Sequence, residues 1–324
     1  MSFAPDFDRV VPPGGYAWWY LDALDADGRY GLAMIAFIGS VFSPYYAAAR
    51  RRGPADPLNH CSINVGLYTP ERNYWTMTER PRASVSRTAT ELVIGPSAVQ
   101  WDGTSLRFDI DELTVPFPRR IRGSVLVHPR VSFDRDFALD PDGAHRWRPV
   151  LPFTDVEVHF ENPALNWRGT GYVDSNVGNG PLEDAFVQWQ WTRTHLRGDA
   201  TAIAYDAQPR SGPPRSLDLR IERNAVFESD ARRPLSVLPR TRWGIDRSVA
   251  VDAGTTPRIV KGLEGGPFYA RSLLGATMQG EPVLSVHESL NLDRFSSRVV
   301  QAMLPFRMPR TWATPPRNRP PIPG

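Results

Sequence analysis

The chain has 324 residues, of which 41% are hydrophobic and 23% are charged, an ordinary globular composition that predicts a compact, soluble fold. Its formal net charge of +3 comes almost entirely from arginines that alternate with acidic residues, which argues against a nucleic-acid-binding surface. A single cysteine, Cys61, excludes an internal disulfide. The first residues lack the basic and apolar regions of a signal peptide, so we expect a cytoplasmic location.

Short apolar or alternating segments, separated by Gly, Pro and Asp turns, predict β-strands along most of the chain. The first two, residues 16–22 and 30–38, are apolar on both faces and are joined by a hairpin turn at residues 25–28. Further strands are predicted at residues 62–68, 91–94, 106–111, 123–128, 156–160, 185–191, 217–221 and 285–292.

Only two segments have a helical pattern. One is residues 45–52; the other begins at Asp293, a plausible N-cap, and ends at Pro305. The second segment places Phe295, Val299 and Met303 on one face.

Many short strands with little helix predict an all-β fold, with antiparallel sheets closed into barrels or sandwiches. We expect an N-terminal domain at residues 1–160, a C-terminal domain at residues 161–308, and a Pro-rich tail at residues 309–324 that cannot pair in a sheet. Residues 30–49 are uncharged, but Gly, Ser and Pro interrupt them, so they predict buried strand and not a membrane-spanning helix.

The stretch most suggestive of function is residues 167–191, where several carboxylates share a Gly/Asn-rich segment with five aromatic side chains. A carboxyl group among apolar rings tends to keep its proton, because burial disfavours the ionised form. This stretch therefore predicts acid chemistry on an apolar molecule.

Two pairs of residues, each spaced by two, are the strongest candidates for this chemistry: His145 with Trp147, and Tyr172 with Asp174. On a strand, residues i and i+2 point to the same face, so each pair presents both side chains to one side. If both pairs point into one barrel, a carboxyl, an imidazole, a phenol and an indole meet there. Alternatively, Tyr172 and Asp174 form a satisfied turn before Gly180, and Trp147 is ordinary core.

Other motifs are weaker. The sequence has no Walker motif, no metal-binding His or Cys pair, and no Gly-x-Ser-x-Gly elbow. Glu183 and Asp184 precede a strand and are interpreted as solvated edge charges. His287 and Glu288 are adjacent on a strand and must face opposite ways, so His287 is interpreted as a wall residue. Cys61 follows His60 in an apolar strand, where a thiol is usually inert.

Six collinear blocks give the chain its resemblance to a known family: residues 14–20, 36–46, 56–61, 75–80, 167–191 and 287–292. With them, the chain resembles the acyclic carotenoid 1,2-hydratases, also called hydroxyneurosporene synthases. The resemblance implies two lipocalin-like β-barrel domains, no cofactor, and addition of water across the terminal C1–C2 double bond of neurosporene, lycopene or a related carotene. It also implies that His145, Trp147, Tyr172 and Asp174 are the functional residues, with the aspartate as proton donor.

Alkene hydration needs a strong acid that is still protonated, so the pKa of Asp174 is expected to be raised by burial among Trp147, Trp167 and Tyr172. We expect Asp174 to act as the acid, His145 as the base that orients water, Tyr172 as a hydrogen-bond partner, and Trp147 as the wall facing a cation. The remaining aromatic residues of the 167–191 stretch are expected to bind the substrate: Trp167, Phe186, Trp189 and Trp191.

The expected substrate dissolves in lipid, so we expect the protein to associate peripherally with the inner or intracytoplasmic membrane. Residues 42–52 and 304–312 combine aromatic side chains with arginines, a composition typical of interfacial anchors, although Phe42 and Tyr46 could equally be core. Two other functions fit a double lipocalin-like barrel: a carrier of a hydrophobic ligand, and a cofactor-free polyene cyclase or isomerase. The sequence leaves the oligomeric state open.

Overall fold

A computed structural model of the chain describes residues 4–229 and 233–311. Strands make up 55% of these residues and helices, with 3₁₀ turns, 11%, which confirms the all-β prediction. The strands of the described residues are β1 (Tyr16–Asp25), β2 (Gly31–Ile38), β3 (Cys61–Tyr68), β4 (Asn73–Arg80), β5 (Val85–Arg87), β6 (Glu91–Ile94), β7 (Ser97–Trp101), β8 (Leu106–Leu113), β9 (Arg120–Val131), β10 (Phe137–Ala138), β11 (His145–Asn162), β12 (Leu165–Gly178), β13 (Phe186–Leu196), β14 (Ala200–Pro209), β15 (Arg215–Ile221), β16 (Val226–Glu228), β17 (Leu235–Leu238), β18 (Arg247–Ala250), β19 (Arg258–Gly265), β20 (Tyr269–Met278) and β21 (Glu281–Asn291).

Helices are few and short. The described α-helices are α1 (Pro44–Arg50), α2 (Leu182–Ala185), α3 (Leu292–Ser296) and α4 (Arg298–Met303). Single 3₁₀ turns occur at Pro57–Asn59, Arg82–Ser84, Arg197–Asp199 and Leu304–Phe306.

The described strands form three sheets. The largest has the order β4-β3-β2-β1-β12-β11-β9-β8-β7-β6-β5, with β10 paired to β11. A seven-stranded sheet has the order β16-β15-β14-β13-β21-β20-β19, and β17 pairs with β18. Most neighbours in these orders are consecutive in the chain and antiparallel, as hairpins connected by short turns require.

The chain divides into two compact units whose segments are interleaved. The N-terminal unit contains the described parts of residues 2–128, 155–171 and 304–324, and the C-terminal unit contains those of residues 129–154 and 172–303. The boundary predicted near residue 160 therefore lies within β11, which contributes residues to both units. A sequence pattern indicates where strands begin and end, but it does not indicate that one long strand serves two cores.

The predicted first hairpin is present. β1 and β2 pair antiparallel from Ala17 opposite Ile38 to Leu24 opposite Gly31. The turn contains Gly28 at φ +65°, a left-handed conformation that glycine adopts without steric cost. Both strands are buried on both faces, as their continuous apolar sequences predicted.

The second predicted helix is wrong in three respects. Its N-cap is Asn291, whose side chain accepts from the backbone N–H of Arg294, and not Asp293. The helix breaks at Ser297 into α3 and α4, although α4 ends at Met303, before Pro305, as predicted. Phe295 is buried, whereas Val299 and Met303 are exposed, because the break ends the single face on which the prediction depended.

The prediction that the chain cannot pair in a sheet from residue 309 onward is also wrong at its start. The backbone N–H of Glu79 donates to the carbonyl of Pro309 at 2.9 Å, and that of Thr311 donates to the carbonyl of Glu79 at 3.0 Å. Proline cannot donate a hydrogen bond, but here its carbonyl accepts one at the edge of β4. The rest of the tail lies outside the described residues. Across those residues, every helix is too short or too polar to cross a membrane.

Candidate active site

The first residues of β11 place His145 and Trp147 on one strand face, as their spacing predicted. Both side chains are buried. β10 pairs with this end of β11 so that Phe137 is opposite Trp147, and the two rings lie 5.6 Å apart. Phe137 therefore fixes the indole by packing, while the indole N–H is free to donate to Asp174 on β12.

The second half of β12 places Tyr172, Asp174 and Asn176 on one face. The Asp174 carboxyl is only 5% exposed and its Oδ2 accepts two hydrogen bonds, from Trp147 Nε1 at 2.9 Å and from Tyr172 Oη at 3.0 Å. Asn176 Nδ2 donates to the other carboxyl oxygen, Oδ1, at 3.3 Å. The two carboxyl oxygens thus have different surroundings, with two donors on Oδ2 and one on Oδ1.

The alignment of β11 with β12 brings the two predicted pairs together. The N–H of Asn179 donates to the carbonyl of Ala144 at 3.1 Å, which joins the end of β12 to the beginning of β11. Tyr172 and Asp174 lie inside a strand, and Trp147 bonds directly to the carboxyl group. This geometry favours the functional interpretation of the two pairs over a turn beside an unrelated core tryptophan.

β13 and β14 add an aromatic wall to the same C-terminal unit. Trp191 lies opposite Tyr205 in the β13–β14 pairing, and its ring is 5.4 Å from that of Tyr172. Tyr205 contacts Trp147 edge to face at 5.4 Å and Trp189 at 6.0 Å. All these rings are buried, so the polar Asp174 site is enclosed by apolar surface.

A β-bulge brings Phe186 into this wall. In a regular strand, residues 186 and 189 would point to opposite faces. The register between β13 and β14 shifts between Phe186 and Gln188, and the Phe186 and Trp189 rings consequently meet at 5.9 Å. Phe186 also meets the imidazole of His145 edge to face at 5.2 Å.

The surroundings of His145 favour its neutral form. Burial lowers the pKa of its imidazole below the ordinary value, and the nearby Asp140 carboxylate only partly opposes this effect. Asp140 Oδ1 also accepts the backbone N–H of His145 at 2.9 Å, which fixes the start of β11. A neutral imidazole can accept a proton at neutral pH, which a charged one cannot.

Seven of the eight predicted site residues therefore lie in this buried cluster, and Trp167 does not. Trp167 is five residues before Tyr172 on β12, an odd separation that turns it to the other strand face, and it belongs to the N-terminal unit. Sequence reasoning also missed Asn176, Tyr205 and Phe137. Of these, only Asn176 had a usable signal, because it continues the i, i+2 spacing of Tyr172 and Asp174.

A second Tyr-x-Asp pair occurs in β1. Tyr20 donates to Asp22 Oδ2 at 2.9 Å, and both side chains are buried. The spacing and hydrogen bond match those of Tyr172 and Asp174, so the motif alone does not select Asp174. What distinguishes Asp174 is the indole N–H donated by Trp147 from the neighbouring strand.

His287 is a satisfied interior residue, as interpreted from the sequence. Its Nδ1 lies 2.8 Å from Thr192 Oγ1 and its Nε2 lies 3.1 Å from Ser289 Oγ. Burial, reinforced by the positive charge of Arg247, lowers its pKa from 6.5 to about 3. It contributes to the polar layer on the face of β13 opposite Trp189 and Trp191.

We expect His287 to make the protein less stable in mild acid. Between pH 6.5 and about 3 the unfolded chain binds a proton at this residue that the folded chain does not, so the free energy of unfolding falls by up to about 1.4 kcal/mol per pH unit as pH is lowered. Urea denaturation of His287→Gln should give a flatter dependence on pH in this window. His159→Gln, at an exposed histidine, should keep the parent slope; an equal slope in both variants would contradict the assignment.

The remaining candidates are structural. His60 Nδ1 lies 2.9 Å from Glu79 Oε1, and burial raises the pKa of the Cys61 thiol to about 12, so the pair has no nucleophilic thiolate at neutral pH. Glu183 and Asp184 lie in α2, with Asp184 exposed. Within residues 4–229 and 233–311, no three His, Cys, Asp or Glu side chains are grouped as metal ligands would be.

Comparison with known proteins identifies the family. A family model described as carotenoid hydratase CrtC matches residues 34–315, a span that includes every residue of the cluster. The chain belongs to this carotenoid hydratase family. Two curated relatives agree: the acyclic carotenoid 1,2-hydratase of Thiocapsa roseopersicina is 51% identical over 94% of this chain and 76% of its own length, and that of Rubrivivax gelatinosus is 44% identical over 95% and 76%. Such hydratases are hydro-lyases, so the carotenoid hydratase family places the chain among enzymes of that class.

The fold of this carotenoid hydratase family member also occurs in a solved structure. A crystal structure of an AttH protein from Nitrosomonas europaea aligns with a TM-score of 0.61, covering 90% of this chain and 96% of the other. The sequences are 13% identical, so the similarity concerns the lipocalin-like β fold alone.

Proposed function

We propose that the protein adds water across the terminal C1–C2 double bond of an acyclic carotenoid such as neurosporene or lycopene, giving a tertiary 1-hydroxy carotenoid. The observation that carries the proposal is the Asp174 carboxyl, buried among aromatic rings with Trp147 and Tyr172 both donating to one oxygen. Membership of the carotenoid hydratase family supports hydration over a carrier or a cyclase.

Asp174 is assigned the first step, transfer of a proton to C2 of the alkene. Because Oδ2 accepts two hydrogen bonds and Oδ1 only one longer bond, from Asn176, the proton to be transferred is placed on Oδ1. When that proton leaves, Trp147 and Tyr172 stabilise the carboxylate that forms, and charge-assisted bonds of this kind are about twice as strong as neutral ones. The mechanism requires Asp174 to be protonated before reaction, which stays a prediction.

Proton transfer leaves a tertiary cation at C1, which is stabilised by nearby negative charge and by the faces of aromatic rings. The Asp174 carboxylate supplies the negative charge. Each desolvated cation–π contact adds about 2 kcal/mol, or roughly a thirtyfold effect on rate. One ring is insufficient, and we assign the wall of Trp147, Trp189 and Trp191 to this purpose, with Phe186 as an apolar contact for the chain of the substrate.

Water then adds to C1 from the side that His145 serves. The new C1–O bond forms as neutral His145 accepts the proton that the water loses, and that proton later returns to Asp174, so the enzyme is regenerated. Asn176, whose amide lies beside Oδ1, is assigned a positioning role: it orients the carboxyl oxygen that carries the proton.

The substrate lies in lipid, and we therefore extend the proposal to peripheral contact with a membrane surface. Of the two predicted anchors, residues 42–52 are disfavoured, because Tyr46 is buried and donates from Oη to the carbonyl of Gly15 at 2.7 Å. The segment that begins at Leu304 remains a candidate, with Phe306 and Arg307 exposed; Trp312 lies outside the described residues.

Isotopic labelling tests the reaction. Purified protein incubated with lycopene in oxygen-18 water should give a product in which mass spectrometry finds one labelled oxygen per hydrated end. Unchanged lycopene that co-purifies with the protein would favour a carrier. An isomeric product without label would favour a cyclase or isomerase.

A further inference from the structure

The loop between β8 and β9 presents an exposed aromatic ring. It reads Thr-Val-Pro-Phe-Pro-Arg over residues 114–119, and Phe117 at its tip is 79% exposed. Thr114 holds the loop closed: its N–H donates to the carbonyl of Arg119 at 2.8 Å and its hydroxyl donates to the carbonyl of Phe117 at 2.5 Å. The ring is therefore displayed by a hydrogen-bonded loop, although exposing it to water is unfavourable.

A second exposed ring belongs to Phe306, whose neighbour Arg307 contacts β4. Phe306, in the turn after α4, is 77% exposed, and the neighbouring Arg307 guanidinium lies 4.5 Å from the centre of the Trp75 indole on β4. The next residue on β4, Thr76, donates from its hydroxyl to the carbonyl of Leu113 at 2.6 Å. Arg307, next to Phe306, and the end of β8 before the Phe117 loop thus contact neighbouring residues of β4, and all these residues belong to the N-terminal unit.

We call Trp75, Leu113, Phe117 and Phe306, with Arg72, Arg119 and Arg307, the edge patch. Its three arginines are exposed. The same segments contain one exposed acidic residue, Glu71, so positive charge is in excess. The nearby Asp111 is already paired with Arg120, at 2.8 Å for each of two hydrogen bonds. Exposed aromatic and aliphatic side chains combined with an excess of arginine are the composition of a surface that binds anionic lipid.

We infer that the edge patch docks the protein on the surface of an anionic lipid bilayer, with Phe117 and Phe306 in the headgroup region and the arginines against the phosphates. The inference rests on the proposed function in one respect: docking would allow the enzyme to collect a substrate dissolved in lipid. Burial of one phenylalanine ring in the interface is worth roughly tenfold or more in partitioning, and each arginine roughly fivefold.

Vesicle co-sedimentation tests the docking. The full chain should bind phosphatidylcholine vesicles that contain phosphatidylglycerol better than vesicles of phosphatidylcholine alone, and added salt should weaken binding. Phe117→Ser and Phe306→Ser should each reduce binding by about tenfold, the double variant by about a hundredfold, and Arg119→Gln by about fivefold. The matched control is Val237→Ser, which removes an apolar side chain 87% exposed on β17 of the other unit and should leave binding unchanged.

Parent-like binding by the double variant, or an equal loss in Val237→Ser, would overturn the inference. So would binding to native membranes but not to protein-free vesicles, since that result indicates a protein partner. Circular dichroism confirms that the variants fold.

Hydration assays separate this inference from the proposed function. With lycopene dispersed in detergent, the Phe117→Ser/Phe306→Ser protein should react at the parent rate. With lycopene in vesicles, its rate should fall by the same factor as its vesicle binding. Failure of the parent to hydrate in detergent would count against the proposed function, whereas the vesicle-binding result stands on its own.

Discussion

Asp174→Asn is expected to abolish hydration, with a loss of at least the roughly 10²- to 10⁴-fold typical of a removed general acid. The amide has nearly the shape of the carboxylic acid, and its oxygen can still accept from Trp147 Nε1 and Tyr172 Oη. It cannot transfer a proton to carbon, however, and it cannot become the carboxylate that faces the cation. The protein should therefore fold and remain inactive, as measured by lycopene turnover and thermal unfolding.

Asp206→Asn is the matched control for this experiment. Asp206 adjoins Tyr205 on β14 and accepts a hydrogen bond from Ser216 Oγ at 2.5 Å, outside the Asp174 cluster. The same substitution there should leave turnover near the parent value. A folded Asp174→Asn protein with near-normal turnover would remove Asp174 from the mechanism.

His145→Ala is expected to lower the rate by roughly 10²- to 10⁴-fold, the range for a lost general base. Because burial lowers the pKa of His145, the imidazole is neutral at neutral pH, and parent activity should fall only when pH drops below the ordinary histidine value near 6.5. The variant should lose this acid limb of the pH–rate profile.

Added imidazole provides a chemical check on the His145 assignment, because it can enter the space left by the side chain and restore part of the rate. His128→Ala, which removes a half-buried imidazole on β9 outside the Asp174 cluster, should change neither rate nor profile. If the acid limb persists in His145→Ala, another group titrates there and His145 is only a packing residue.

The fold class and the two same-face pairs of the candidate site could be predicted because both depend on short-range periodicity. A spacing of two on a strand places His145 with Trp147, and Tyr172 with Asp174, whatever the tertiary structure. That the two pairs meet could not be read from the pattern, because it depends on the alignment of β11 with β12. The buried Tyr20–Asp22 pair has the same spacing, so the spacing does not single out Asp174, whereas the long-range bond from Trp147 joins Asp174 to the His145–Trp147 pair.

The predictions that failed also concern contacts between residues that are far apart in the chain or on different strands. Trp167 was grouped with Asp174 by closeness in sequence, but an odd separation on β12 turns it away. Phe186 reaches the wall through a bulge whose position depends on the pairing of β13 with β14, and Tyr205 comes from that second strand. The interleaved units arise from contacts between residues far apart in the chain, which a local pattern does not encode.

The pairing of Pro309–Thr311 with Glu79 has a consequence for colloidal behaviour. β4 is an outer strand of the largest sheet, and an unoccupied outer strand is a template on which a second molecule can add its own strand. Here the backbone groups of Glu79 are already occupied, and Arg310 secures the segment by pairing with the Glu79 carboxylate and donating to the carbonyl of Asn59 at 3.0 Å. These three residues thus occupy part of the outer edge of β4, and a strand of a second molecule could not pair with Glu79 without displacing them.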